Sequence, residues 1–180
     1  MHIYINDTKF DVNENDTIIQ VADRNDIHIP RFCYHKRLSI VASCRMCLVD
    51  IENMKYPQPA CSTIVKEGMR VNTNNRSAEE AQKNTMEFLL INHPLDCPVC
   101  DQAGECELQD VSLEHGDYKS AYKELKRTVI DKNIGELVNT EMTRCIHCSR
   151  CVRFGEEVAG IKELGMTGRG EDTKIETFIN

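Results

Sequence analysis

The chain has 180 residues, ten cysteines, no tryptophan, 41% hydrophobic residues and a formal net charge of −7. The acidic balance argues against a nucleic-acid partner, since phosphate contacts need clustered Lys and Arg. The opening Met1-His2-Ile3-Tyr4-Ile5 has no basic segment ahead of an apolar one, and no long uncharged apolar run follows, so neither a secretory signal nor membrane insertion is expected.

In chain order, Ile3 and Ile5 alternate with polar neighbours, Asn6-Asp7 offers a turn, and Phe10 and Val12 fall on a return strand, so residues 1–12 read as a hairpin. Asp16 or Thr17 can cap a short helix, Thr17 and Gln20 having capping-box spacing, with Ile18, Val21 and Ala22 on the buried stripe. Pro30 stops regular structure ahead of Cys33. Alternation resumes from Cys47 to Ile51, Pro57 and Pro59 break it, and Met69-Arg70-Val71 after Gly68 predicts a closing strand. Together these segments predict a compact β-rich unit with one packed helix over residues 1–76. A unit this small buries little apolar surface and needs a staple, which the thiols can supply.

A second unit, residues 77–134, opens with Ser77 and Glu80 in an S-x-x-E box, followed by Ala78, Ala81, Thr85, Met86, Phe88 and Leu89 at helical spacing. Asn92-His93-Pro94 ends that helix and leaves His93 four residues before Cys97. Residues 107–136 are polar and mixed in charge and read as a solvated connector. The third unit, residues 135–180, carries the last cysteines, then Gly155, Gly160, Gly165, Gly168 and Gly170, and a strand over residues 175–179.

The cysteines fall in three groups: Cys33, Cys44, Cys47 and Cys61; Cys97, Cys100 and Cys106; Cys145, Cys148 and Cys151. Pairs this close, in a chain with no export signal, point at a metal or a redox partner rather than at disulfides. The first group satisfies a [2Fe–2S] cluster or a four-thiolate zinc site, and its wide C-x10-C-x2-C-x13-C spacing, with only one close pair, favours iron. The second has three thiols and needs one more donor, for which His93 is the candidate in H-x3-C-x2-C-x5-C. The third, C-x2-C-x2-C, matches the start of a [4Fe–4S] run, but Gly155 stands where the fourth cysteine is expected. Either an oxygen or nitrogen ligand completes it, or the ligand lies beyond residue 180, which is the simpler reading. Arg144, Arg150 and Arg153, interleaved with this group, can donate to cluster sulfurs, pair with acidic partner residues, or simply be solvated.

Two stretches carry a family resemblance. Cys97-Pro98-Val99-Cys100-Asp101-Gln102-Ala103-Gly104-Glu105-Cys106-Glu107-Leu108-Gln109-Asp110 and Met142-Thr143-Arg144-Cys145-Ile146-His147-Cys148-Ser149-Arg150-Cys151-Val152-Arg153-Phe154 resemble the large iron–sulfur subunit of NADH:quinone oxidoreductase. Glu163-Leu164-Gly165 and Gly168-Arg169-Gly170 continue the match, which covers the whole chain. Ala103 and Glu136 depart from a common glycine and proline without touching a ligand.

The resemblance implies an α+β fold, with a β-grasp [2Fe–2S] domain holding its cluster on Cys33, Cys44, Cys47 and Cys61. It further implies a small, mainly helical domain with a [4Fe–4S] cluster on His93, Cys97, Cys100 and Cys106. A second [4Fe–4S] cluster would begin with Cys145, Cys148 and Cys151, its fourth ligand farther along than residue 180. The implied role is relay of single electrons from a flavin-bearing, NADH-oxidising subunit toward quinone, with no catalytic residue or substrate pocket in this chain. Implied partners are that flavin subunit, a small [2Fe–2S] subunit and quinone-module subunits. The implied place is the cytoplasmic face of a bacterial inner membrane or the matrix side of the mitochondrial one. Two alternatives are an electron-input module of an NAD-linked hydrogenase or formate dehydrogenase, and a zinc-stabilised interaction protein.

Overall fold

The computed structural model of the chain describes residues 1–137 and 139–178. Strands β1 (His2–Ile5) and β2 (Thr8–Asp11) form the expected antiparallel hairpin, with Ile3 opposite Phe10. Asn6 and Asp7 both take left-handed backbone, φ 48° and 64°, which matches turn twist to strand twist. Helix α1 (Ile18–Arg24) follows, and the Gln20 arm of its capping box is made: the Thr17 N–H donates to Gln20 Oε1 at 2.9 Å. Strands β3 (Leu48–Ile51), β4 (Gln58–Pro59) and β5 (Arg70–Asn72) complete a sheet in the order β2-β1-β5-β3-β4. The central β1–β5 pair is parallel and the others are antiparallel. This mixed sheet grips α1, whose Ile18, Ile19, Val21 and Ala22 pack with Ile3, Ile5, Val49, Ile51 and Val71 in one core. The α+β class and β-grasp arrangement expected of the first unit are present.

Helix α2 (Arg76–Leu90) starts one residue before the expected box and is capped differently. Asn75, not Ser77, is the cap: its Oδ1 accepts from the Ala78 N–H at 3.0 Å while its Nδ2 donates to Asp50 Oδ2 at 2.7 Å. Asn75 wins because one amide serves both the helix end and the neighbouring strand. The buried line on α2 runs through Ala78, Gln82 and Met86, which leaves Phe88 73% exposed. Gln82 sets that rotation: its side chain is buried and donates to the Leu48 carbonyl of β3 at 2.9 Å.

The polar connector is not all connector. Its first nine residues form helix α3 (Glu107–His115), which buries Leu108 and Val111. Residues 117–137 then run without regular structure. Helix α4 (Arg150–Phe154), a π-helical turn over Gly155–Ala159, and the antiparallel pair β6 (Leu164–Thr167) and β7 (Lys174–Thr177) make up the last region. Of the strand expected over residues 175–179, its N-terminal part lies in β7, and residue 179 is outside the described residues. A Cβ on Gly165 would stand 1.8 Å from Phe178 Cζ, so a side chain at that register would displace the exposed Phe178 ring.

A second core joins these regions. Phe32, Cys33, Cys44 and Met46 from the first unit meet Met86 of α2 and Leu108 and Val111 of α3, with Cys106, Ile146 and Cys148 packed against them. Among the described residues, no helix is long and apolar enough to cross a membrane.

Candidate metal centres

The first group is assembled by the loop between Pro30 and β3, and by the turn after β4. All four thiols are buried. Left-handed backbone at Ala42 (φ 50°) and Arg45 (φ 59°) curls the loop around Cys44. The Cys33 N–H then donates to Cys44 Sγ at 3.4 Å. Cys61 is fixed through its neighbour, since the Ala60 N–H donates to the Cys47 carbonyl at 2.9 Å and the Ala60 carbonyl accepts from Ile19 at 3.0 Å.

The sulfurs touch in sequence: Cys33 contacts Cys44 and Cys61, and Cys47 contacts Cys61. Cys33 accepts from Cys44 and Cys61, which holds its thiol well below the usual range, and Cys61 does the same for Cys47. Cys44 and Cys61 are pushed up, in both cases chiefly by the thiol contact with Cys33. Without a cation only part of the set can ionise, because burial and like charge oppose four thiolates at once. A cationic iron centre removes that conflict, so the donors fit the group. Among the described residues no three cysteine sulfurs lie within 4.8 Å of one another. A single zinc with Zn–S bonds near ~2.3 Å would draw its four sulfurs to roughly 3.8 Å apart. The contacts run in the open order Cys44–Cys33–Cys61–Cys47, and a bound centre would draw the sulfurs closer together.

The second group forms where α2 ends. The His93 N–H donates to the Leu90 carbonyl at 3.2 Å, a short 3-10 turn covers Cys97–Val99, and Cys106 is the residue immediately before α3. Gly104, at φ 89°, makes the turn between Cys100 and Cys106, and its N–H donates to Gln109 Oε1 at 3.1 Å. His93, Cys97, Cys100 and Cys106 line one cavity of about 490 Å³. His93 Nδ1 is buried and has no hydrogen-bond partner. Burial, with the charges of Lys126 and Arg144, pushes the His93 pKa down and so favours the neutral, ligating imidazole. The donor set and the cavity fit a cluster with mixed ligation.

Sequence reasoning did not find the wall of this cavity. Tyr118, Tyr122 and Lys126 of the connector line it, and Lys126 Nζ donates to the carbonyls of Leu90 and Ile91 at 2.7 and 3.0 Å. A cation at the C-terminal end of α2 answers carbonyls that the helix leaves unpaired, so the connector is fastened beside His93 rather than fully solvated.

The third group follows a 3-10 turn over Met142–Arg144. His147 (φ 54°) and Ser149 (φ 57°) are left-handed, and the His147 N–H donates to Cys145 Sγ at 3.3 Å. Burial pushes the Cys145 and Cys151 thiols up. Three thiols with such amide donors fit three corners of a cluster. Cys151 faces an apolar cavity of about 750 Å³ lined by Leu38, Phe154 and Ile161.

The three arginines all have partners within the chain, and each ties two groups together. Arg144 pairs with Asp96, beside Cys97, at 3.3 Å. Arg150 donates to the Tyr34 carbonyl at 3.0 Å and to Glu107 at 2.7 Å. Arg153 is only 7% exposed and donates to the carbonyls of Cys33, of Ser39 at 2.7 Å and of Cys148 at 3.2 Å.

Three family models match parts of the chain. Residues 1–76 match a 2Fe-2S iron-sulfur cluster binding domain. Residues 82–120 match the NADH-ubiquinone oxidoreductase-G iron-sulfur binding region, and residues 135–180 match the ferredoxin-like domain of NADH-quinone oxidoreductase subunit 3. The chain is 50% identical over 179 residues to the NADH-ubiquinone oxidoreductase 75 kDa subunit of Reclinomonas americana, covering 99% of the chain and 26% of that protein. It is 52% identical over 163 residues to the mitochondrial NADH dehydrogenase [ubiquinone] iron-sulfur protein 1 of Solanum tuberosum, covering 91% of the chain and 22% of that protein. The chain thus spans about a quarter of the length of these relatives. In fold it is similar to a chain of an NAD+-reducing [NiFe]-hydrogenase, with TM-score 0.90 at 22% identity over 98% of this chain and 74% of that one. The chain carries a [2Fe–2S] binding domain and [4Fe–4S] binding regions, and it belongs to the family of the 75 kDa iron–sulfur subunit of NADH:ubiquinone oxidoreductase.

Proposed function

We propose that this chain is an electron-relay segment of an NADH:quinone oxidoreductase, passing single electrons from a flavin-bearing, NADH-oxidising subunit toward quinone-reducing subunits. Iron–sulfur clusters, when bound, supply one-electron redox chemistry, and the protein tunes and positions them. On this reading Cys33, Cys44, Cys47 and Cys61 hold a [2Fe–2S] cluster in residues 1–76. His93, Cys97, Cys100 and Cys106 hold a [4Fe–4S] cluster in residues 77–134. Cys145, Cys148 and Cys151 supply three ligands of another in residues 135–180. Partners are the flavin subunit, the small [2Fe–2S] subunit and the quinone-module subunits, in an extramembrane arm on the cytoplasmic or matrix side.

The observation that carries this reading is the second core. Cys33 and Cys44 from the first group, Cys106 from the second and Cys148 from the third all pack into one cluster of apolar side chains around Met86. Three separately folded zinc knuckles have no need of that shared core. An electron wire does, because it requires its centres close together, fixed, and shielded from water. The surrounding residues act in stated ways: Lys126 closes the second site, the amides of Cys33 and His147 donate to sulfur, and Arg153 fixes the first and third loops relative to each other.

The test is a potentiometric titration of the full, anaerobically isolated chain followed by low-temperature electron paramagnetic resonance. The expected result is a [2Fe–2S] and at least one [4Fe–4S] signal, each following a one-electron Nernst curve. His93→Ala should remove one [4Fe–4S] signal alone. Redox-silent metal centres would overturn the relay, and unchanged signals in His93→Ala would overturn the histidine ligand.

A further inference from the structure

Away from the three cysteine groups, His28, Glu114 and His115 each place a donor atom within 4.8 Å of the other two. His28 stands in the loop after α1, whereas Glu114 and His115 close α3, so the cluster spans the β-grasp unit and the helix that follows Cys106. His115 Nε2 is 3.6 Å from Glu114 Oε2 and, though buried, has no hydrogen-bond partner. A tetrahedral ion with metal–ligand bonds near ~2.0–2.1 Å sets its donors roughly 3.3 Å apart, so small side-chain rotations suffice. The C-terminal end of α3 adds its partial negative charge at the same place. His28 and Glu114 are exposed, which leaves a water-accessible coordination position.

We propose that His28, Glu114 and His115 form a site for a divalent transition-metal ion of the zinc class, with water completing the coordination. Two imidazoles and a carboxylate suit zinc better than magnesium or calcium, which prefer all-oxygen shells. The bound ion clamps the far end of α3 to the first unit. The near end of the helix is already held by Cys106 and by the Glu107–Arg150 pair.

The experiment uses the full chain with its clusters in place, titrated anaerobically with Zn²⁺ against a chromophoric chelator while cluster absorption is monitored. One equivalent should bind with no loss of cluster absorption, and His28→Ala and Glu114→Gln should each weaken it by about tenfold or more. Co²⁺ in place of Zn²⁺ should give ligand-field bands without thiolate charge-transfer absorption. The proposal is overturned if His28→Ala binds zinc as tightly as the unaltered chain. It is equally overturned if zinc binds only as cluster absorption falls, or if Co²⁺ shows thiolate bands.

Discussion

The guanidinium of Arg153 donates to the carbonyl of Cys33, joining residues 120 positions apart. It also reaches the carbonyls of Ser39 and Cys148, and the Glu157 carboxylate accepts from the Ser39 N–H at 2.8 Å. One buried cation therefore fixes the loop of the first cysteine group against that of the third. Arg153→Leu removes the donors and leaves covered carbonyls unpaired, at ~1–3 kcal/mol for each one left unsatisfied. The expected outcome is a loss of about 3 kcal/mol in urea unfolding, with faster release of the [2Fe–2S] cluster. Arg153→Lys should recover only part, since a single ammonium cannot span the same fan of acceptors.

The cap of α2 separates two residues that sequence spacing does not distinguish. Asn75→Ala deletes the bond to the Ala78 N–H and the bond to Asp50, whereas Ser77 is exposed. Asn75→Ala should lower stability by about 1–2 kcal/mol and Ser77→Ala should leave it within ~0.5 kcal/mol. Equal effects in thermal unfolding would count against the cap described above.

Asp16 and Arg24 give a pH-dependent contribution. The Arg24 guanidinium beside Asp16 holds its carboxyl below the usual carboxylate range, helped by the Asn13 N–H, which donates at 2.8 Å. A carboxyl whose pKa is lowered by folding adds stability above its unfolded value, and that contribution is lost as pH falls through the folded value. Asp16→Asn should therefore cost about 0.5–1 kcal/mol at pH 7, and the gap from the unaltered chain should close as pH falls below roughly 4. Urea midpoints across that range check it; a gap independent of pH would contradict the ion pair.

Much of this was legible in the sequence, and for local reasons. Alternation of Ile3 and Ile5, the Asn6-Asp7 turn and the Thr17–Gln20 spacing specify structure over a few residues; the first two appear as read, and of the capping box the Gln20 arm is made. The grouping of the cysteines is local in the same way, because cysteines that share a loop lie close along the chain. Helix α3 escaped notice because only Leu108 and Val111 mark its buried face among polar residues. The buried line of α2 is not legible from apolar spacing alone, because Gln82, bonded to the Leu48 carbonyl, is buried while Phe88 is exposed. The roles of Arg144, Arg150 and Arg153, and the meeting of His28 with His115, depend on contacts between distant segments that no spacing encodes.

Packing makes a further prediction. Met86 is fully buried where side chains from all three cysteine groups converge. Met86→Ala should cost ~2–4 kcal/mol through the cavity it opens, and it should alter the resonance line shapes of more than one centre. A change confined to one centre would mean the shared core does not couple the sites.

The most direct test of the account is metal and acid-labile sulfide analysis of the anaerobically isolated chain. Iron and sulfide should appear in equal amounts, at about six or more of each per chain, from one [2Fe–2S] and at least one [4Fe–4S] cluster. A colourless protein holding near-stoichiometric zinc on its cysteines, with no labile sulfide, would contradict it.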